Sequence, residues 1–463
     1  MTALDKATRR KVFYAMAAVF AVVAPLALLY SRGYLVDLRG RGIVATGGIF
    51  VRTVQPGVRI AVEGGASRET SFISQGALIT DLLPRRYVVR AEKDGRRAWE
   101  KVVRVSGQEV LEFRNVFLPP ATLTPQFIFA VRTSGPARLI GLPGRPEIGL
   151  EVGAPDQPFT AFAVHPGEHR ARFNFIRAVR WSWDETSQTF YLARLDQGLL
   201  RWFRVNAAAA DPKEERIAFR GLPAGFTADT LLPHPTAAGE FYFSAGGALF
   251  LQGRSSVPVP IAEEVHAYAA TRQRLYFVSR NGFFVETSLT GQDTRVLGRK
   301  GLVLDSAWPS RIGVSPAGDI IVLDSAGGLF RFRPGRDEEL GFVSGNVLGF
   351  DFSASGDRML YWDEHRLSIY WLRDSPRQPF DLAGSKKNIF YSAEPIRESV
   401  LSADGANAIL RTDGAIRMTE VDDRGGVNSY ELVSDPVDAS WLDKNSFALY
   451  WIEERTLYRA SLK

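Results

Sequence analysis

The sequence predicts an all-β protein carried behind one apolar helix: a transmembrane segment, a small β-sandwich, then a β-propeller of about seven blades. Three observations carry that prediction. Residues 12–30 form an uncharged run of 19. Residues 47–120 alternate apolar and polar with period two. The rest of the 463-residue chain repeats a pattern about every 43 residues. Composition agrees, since 42 Gly, 25 Pro and 11% aromatic residues favour short strands and tight turns over long helices. Cysteine is absent, which excludes disulfides, cysteine-ligated zinc, iron–sulfur clusters and thiol catalysis.

The apolar run extends from Val12 to Tyr30. As a helix it rises about 28 Å, close to the roughly 30 Å hydrocarbon core of a bilayer. Lys6, Arg9, Arg10 and Lys11 precede it, which by the positive-inside rule places residues 1–11 in the cytoplasm as a short tail. Arg32, Arg39 and Arg41 follow and weaken that bias. The run ends Leu28-Leu29-Tyr30-Ser31-Arg32 rather than in small residues, so an uncleaved signal anchor over 12–30 is favoured over a cleaved signal peptide. A buried core helix would show a polar stripe, and none is present. Pro25 is tolerated in a spanning helix and is expected to kink it. The expected topology is a single pass in the cell membrane, with a linker over 31–46 and the later domains extracytoplasmic.

From Gly47 to Pro119 the apolar runs are Ile49–Val51, Val58–Val62, Tyr87–Ala91 and Val102–Val105, with hairpin turns at Glu63-Gly64-Gly65 and Lys93-Asp94-Gly95. About 70 residues of this kind predict a compact sandwich over 47–120. The stretch Thr53-Val54-Gln55-Pro56-Gly57-Val58-Arg59-Ile60-Ala61-Val62-Glu63-Gly64 resembles the opening of a PEGA domain. Leu82-Leu83-Pro84-Arg85-Arg86-Tyr87, Lys93-Asp94-Gly95 and Trp99 resemble its second half. The resemblance implies a bacterial extracytoplasmic β-sandwich beside a membrane anchor and a larger partner domain. It implies no catalytic residues.

Residues 121–463 carry the repeat. Each unit has a turn and then a strand with an aromatic or aliphatic residue eight positions after an anchor. Ser315–Leu323 (SPAGDIIVL), Ser353–Tyr361 (SASGDRMLY) and Ser402–Leu410 (SADGANAIL) are the clear copies. Trp183–Tyr191, His234–Tyr242, Tyr268–Tyr276 and Leu442–Tyr450 are looser ones. The seven anchors average about 43 residues apart, the size of a four-stranded propeller blade. The last copy is short, and a strand near Phe127–Val131 is expected to complete it and close the ring. Residues 132–177 fit no copy and leave room for an eighth, irregular blade. Two separate β-sandwiches are the alternative architecture. The S-x-x-G turn resembles TolB-like and WD40-like propeller repeats, although Trp183-Asp184 and Trp362-Asp363 fall at different repeat positions.

Catalytic and metal chemistry finds little footing. His165 and His169 are separated by Pro166 and Gly167, which makes them a loop pair rather than helical metal ligands. Asp404-Gly405, Asp413-Gly414 and Asp422-Asp423-Arg424-Gly425-Gly426 read as hairpin turns rather than calcium loops. Asp337-Glu338-Glu339 and Glu263-Glu264 read as solvated loop charges. Gly40-Arg41-Gly42 lacks the βαβ surroundings of a dinucleotide loop. Trp181, Trp183, Trp362, Trp371, Trp441 and Trp451 sit at repeat-linked strand positions and are expected to pack blades. The expectation is no catalytic residue, no cofactor and no metal.

The formal charge of +6 is unevenly spread. Residues 1–40 hold six Lys/Arg against two Asp/Glu, residues 41–120 hold thirteen against eight, and the remaining 343 hold thirty-eight against forty-one. Nucleic-acid binding by the large domain therefore loses its support. Arg85, Arg86, Arg90, Lys93, Arg96, Arg97, Lys101 and Arg104 crowd within twenty residues. All eight are expected to face anionic lipid headgroups or wall polymer, with Arg85, Arg86, Arg96 and Arg97 as the candidate contacts; an ordinary solvated sheet face is the alternative. The expected function is a non-enzymatic, membrane-anchored scaffold of the bacterial cell envelope. Its expected partners are the bilayer, through one helix, and an envelope protein or wall polymer. The alternatives are a propeller enzyme acting on glycans or lactones, and a released periplasmic TolB-like component.

Overall fold

The structure is a computed structural model that describes residues 6–37, 42–64, 66–71, 75–131, 135–142, 145, 147–153, 158–209, 211–219, 222, 227–253, 257–297, 302–304 and 310–463. Two compact units make up the chain: residues 1–122 with 376–380 and 422–428, and residues 123–375 with 381–421 and 429–463. Residues 1–5 of the expected tail and 38–41 of the expected linker, with Gly40-Arg41, lie outside the described residues.

The first unit opens with a helix over Lys6–Ser31, with Pro25 inside it. Its stretch Thr8–Ser31 has a mean hydropathy of 2.4 over the most apolar 18 residues, and none of that window is buried. Beyond it, where the sequence suggested only a linker, Tyr34–Asp37 and Gly42–Ala45 pair as an antiparallel ribbon. The apolar pairs Leu35↔Val44 and Val36↔Ile43 in its register are good strand formers.

The sandwich has one sheet ordered Ser67–Glu69, Arg59–Val62, Arg86–Glu92, Trp99–Arg104. The other is ordered Gly76–Leu82, Gly47–Thr53, Val110–Val116. Gly47–Thr53 pairs parallel to Val110–Val116 and antiparallel to Gly76–Leu82. Period-two burial puts Ile60, Val89, Ala91, Trp99, Ile49, Val51 and Phe113 into one apolar core. Gly95, with φ +71°, makes the turn after Glu92, as the Lys-Asp-Gly signal predicts.

The second unit is a ring of four-stranded antiparallel blades in seven sheets. Six are simple, among them Arg311–Val314 to Gly341–Ser344, Gly349–Phe352 to Lys386–Tyr391, and Glu398–Leu401 to Ser429–Val433. The seventh sheet has seven strands and holds two blades, because the 15-residue strand Arg170–Asp184 serves both. Up to Ala178 it pairs with Phe159–His165, and from there to Asp184 with Thr189–Asp196; Arg177 between these parts has φ +58°. The irregular segment of the sequence thus supplies an eighth four-stranded set: Ala137–Gly141, Ile148–Val152, Phe159–His165 and the first part of Arg170–Asp184. Gln126–Ala130 pairs with Thr456–Ser461 and completes the last blade. First strands of neighbouring blades lie side by side, as Ala137–Gly141 does with Ala439–Asp443, so they line the axis.

The repeat has a clear structural meaning. Tyr191, Tyr242, Tyr276, Leu323, Tyr361, Leu410 and Tyr450 each sit on the second strand of a blade and are all buried. They plug the clusters between blades, as Tyr191 does beside Phe241 and Tyr361 beside Leu323. The preceding turn is built by its serine and glycine. Ser315 Oγ accepts from Asp319 N at 2.9 Å, and Ser402 Oγ accepts from Asn407 N at 3.0 Å. Gly318, Gly356 and Gly405 take φ of +86°, +67° and +68°, where a side chain is strained.

Candidate functional site

The four basic candidates divide into two neighbourhoods within the first unit. Arg85 and Arg86 lie at the start of the strand Arg86–Glu92, both exposed. The Arg85 guanidinium stacks over Tyr87 at 4.7 Å. Arg86 stands directly across the ladder from Arg104, also exposed, so two like charges face each other where an opposite pair would be favoured. Arg96 and Arg97 follow the Gly95 turn. Arg97 is exposed, but Arg96 turns toward the protein, donating from Nη1 to Leu118 O at 3.2 Å, and desolvation lowers its pKa.

Other members of the basic cluster are spoken for. Arg90 pairs with Glu100 at 2.6 Å, and Lys93 Nζ donates to Pro56 O at 2.7 Å. Lys101 belongs to the inward row Trp99, Lys101, Val103 and is only 1% exposed. Its ammonium donates to Asp422 O and Gly426 O, each at 2.5 Å. The same 422–428 segment gives Gly425 O to Val102 N at 3.1 Å, and Asn428 brackets the backbone of Glu100. Arg424 stacks over Phe113 at 4.6 Å and donates to Glu112 O at 2.7 Å. Lys101 is thus a buried structural cation, not one of a row of exposed basic residues.

In the propeller, two cavities adjoin. One, of about 980 Å³, lies among the Asp324–Gly327 turn, Asn346–Leu348, the Asp363–Arg366 turn and Tyr391. The other, of about 480 Å³, is lined by the first-strand residues Arg138, Glu398, Ser399 and Trp441, which places it at the axis. Arg311 and Leu348 line both. Of the four carboxylates lining these cavities, exposed Glu364 carries no side-chain bond among the described residues and the other three are engaged. Asp324 caps its own turn through Ala326 N and Gly328 N, at 3.0 and 2.7 Å. Asp363 caps the next turn through His365 N and Arg366 N, at 2.9 and 2.7 Å. Glu398 accepts from Arg411 at 3.1 Å.

The remaining sequence candidates fall where local bonding explains them. His165 Nδ1 accepts from Glu168 N at 3.1 Å in the turn that His169 completes with φ +53°. Asp404 accepts from Ser402 Oγ and Ala406 N within its turn, and Asp413 pairs with Arg397 at 2.6 Å. Asp337, expected as a solvated charge, instead pairs with Arg333 at 2.8 Å. Among the described residues, no group of three or more His, Asp or Glu is placed to hold a metal ion. The tryptophans pack against glycines, Trp441 over Gly141, Trp181 over Gly149 and Trp362 over Gly349, where an added Cβ would clash at 2.6 Å or less. Trp362 and Trp441 also form part of the axial cavity wall.

The fold defined by these blades is that of a β-propeller. The crystal structure of the C-terminal WD40 domain of Sif2 is similar to this chain with a TM-score of 0.50 at 9% identity, covering 74% of this chain and 99% of that one. The computationally designed Ika8 protein gives a TM-score of 0.46 at 10% identity, covering 73% of this chain and 100% of that one. No family model matches the chain, and no curated protein matches it.

Proposed function

We propose that this protein is a membrane-anchored recognition scaffold of the bacterial cell envelope. The observation that carries the reading is the helix Lys6–Ser31, whose uncharged stretch from Val12 to Tyr30 is apolar on all sides and left uncovered. Phe13, Met16, Phe20 and Leu28 are 66%, 68%, 72% and 65% exposed, a state that water penalises and a bilayer satisfies. With residues 1–11 cytoplasmic, the sandwich stands outside the membrane as a PEGA-like module, and the propeller presents its faces to an envelope protein or polymer. The two-sheet arrangement over 47–116 supports the PEGA-like reading. Arg85 and Arg86, joined by Arg104, form its anion-facing surface at one end of the hairpin, and Arg97 is a separate exposed cation beyond the Gly95 turn; the unrelieved Arg86–Arg104 pair is what an anionic partner would relieve.

Recognition is favoured over glycan or lactone chemistry because three of the four carboxylates lining the two cavities, Asp324, Asp363 and Glu398, are committed to turn caps and ion pairs. Membrane fractionation tests the anchor: full-length protein is expected to resist carbonate extraction, and release into the wash would favour a freed periplasmic component. Crosslinking in intact cells with mass spectrometry is expected to recover an envelope protein or polymer, and recovery of neither would refute the scaffold reading. Combined charge reversal at Arg85, Arg86 and Arg97 is expected to weaken binding to anionic vesicles and leave neutral vesicles unaffected.

A further inference from the structure

Arg311 occupies an unusual position. It begins the first strand of its blade, Arg311–Val314, at the junction of the 980 and 480 Å³ cavities. Its side chain is solvent-accessible, yet the cavity walls and the neighbouring Arg138 lower its pKa, desolvation being the larger cause. Other arginines on these walls have carboxylate partners: Arg397 with Asp413, Arg366 with Asp363, and Arg138 with Glu151 at 3.8 Å. Among the described residues, no carboxylate lies within ion-pair distance of Arg311; its recorded contact is the face of Phe350, 5.7 Å from the guanidinium carbon. A charged fork held at a concave junction with its donors unused is a site short of one anion.

The geometry points to a ligand carboxylate bound by Arg311, with the body of the ligand in the 980 Å³ cavity against Leu348 and Tyr391. A planar guanidinium offers two parallel donors, which match the two oxygens of a carboxylate. Leu348 and Tyr391 are 53% and 69% exposed and supply apolar area beside that charge. A phosphate dianion would call for a second free cation, and the nearest, Arg138, already faces Glu151. The carboxylate has two chemical sources, a small organic acid or the free C-terminus of a polypeptide. This site stands independently of the membrane anchor and of the basic sandwich.

The test uses the full chain and the arginine reagent phenylglyoxal, with modification read at each arginine by peptide mass spectrometry. Glutarate, acetyl-Ala-Ala-Phe with a free C-terminus, the same peptide as its amide, and inorganic phosphate are the probes. Modification of Arg311 is expected to slow at least fivefold with glutarate or the peptide acid, while exposed Arg204 is unaffected. Protection by glutarate alone assigns a small organic acid, and protection by the peptide acid assigns a polypeptide C-terminus. Equal protection by acid and amide, protection by phosphate alone, or no protection overturns the proposal. Calorimetric binding of the protecting probe is expected to fall at least tenfold in Arg311→Gln with the thermal unfolding midpoint unchanged. Undiminished binding in a folded Arg311→Gln protein would equally overturn it.

Discussion

Arg331 and Asp319 form a sealed ion pair: Nε and Nη2 of the arginine reach the same carboxylate oxygen at 3.0 and 2.8 Å, with the side chains 7% and 0% exposed. Arg331 also donates to Leu372 O at 2.7 Å and stacks on Tyr370, which ties two blades together. Arg373 takes the second Asp319 oxygen at 2.7 Å. Removing one partner strands a buried charge, so Asp319→Ala is expected to cost about 3–5 kcal/mol. Urea denaturation followed by hydrogen exchange over 320–332 and 366–372 checks this. Exchange unchanged in both strands would show that the pair does not hold the blades.

Gly318 and Gly356 occupy the same place in two copies of the S-x-x-G turn but have different neighbours. A Cβ on Gly356 would meet Ala317 N at 2.5 Å, whereas one on Gly318 meets nothing within 4 Å. Both substitutions to alanine carry a left-handed backbone penalty of about 1–2 kcal/mol. Gly356→Ala adds a backbone clash and is expected to lower the thermal midpoint clearly more than Gly318→Ala. Equal effects would place the whole cost in the backbone angle.

Asp357 links stability to acid. Burial alone would raise its pKa, but donation from Arg358, Ser353 and Ser355 and the charge of Arg358 outweigh that and hold it at about 2. A carboxyl depressed in the fold contributes stability that is complete above its ordinary value near 4 and is lost as pH falls toward 2. Asp357→Asn is therefore expected to destabilise the protein at neutral pH and to flatten the loss of stability between about pH 4 and 2. The same acid slope in the variant would assign that loss to other carboxylates.

Lys101→Met keeps the buried aliphatic stem but removes the donor that holds Asp422 O and Gly426 O. Two carbonyls lose a charged partner, at about 1–3 kcal/mol for the buried group left unsatisfied. Faster amide exchange confined to 422–428 and Val102 is the expected signature. Exchange unchanged there would mean that Arg424 and Asn428 suffice to hold the segment.

Most of the architecture was legible because it rests on spacing. The anchor-plus-eight residues mark the second strand of seven blades, since each must fill the same gap between packed sheets. The eighth blade was legible only as room for an irregular one, because no S-x-x-G turn precedes its second strand, Ile148–Val152, and because Arg170–Asp184 runs through two blades without a break. Lys101 was misread although the signal was present: the alternation Trp99-x-Lys101-x-Val103 puts it inward, while charge counting treats every lysine as exposed. Arg311 was invisible for a deeper reason. Its distinction is that no carboxylate among the described residues lies near it, a property of blades far apart in sequence that no local pattern encodes.

The pairing of Gln126–Ala130 with Thr456–Ser461 sets a schedule for biosynthesis. Gln126 and its side-chain partner Arg459 are 333 residues apart. At translation rates of 5–20 residues per second, the earlier strand leaves the ribosome on the order of 20–70 s before its partner exists. During that interval an apolar strand has no permanent neighbour, and the blades made meanwhile form an open arc with unsatisfied faces at both ends. Ring closure therefore waits until Thr456–Ser461 has been made and can take its place beside Gln126–Ala130. A chain cut before Thr456 would leave Gln126–Ala130 without its ladder partner and the ring unclosed.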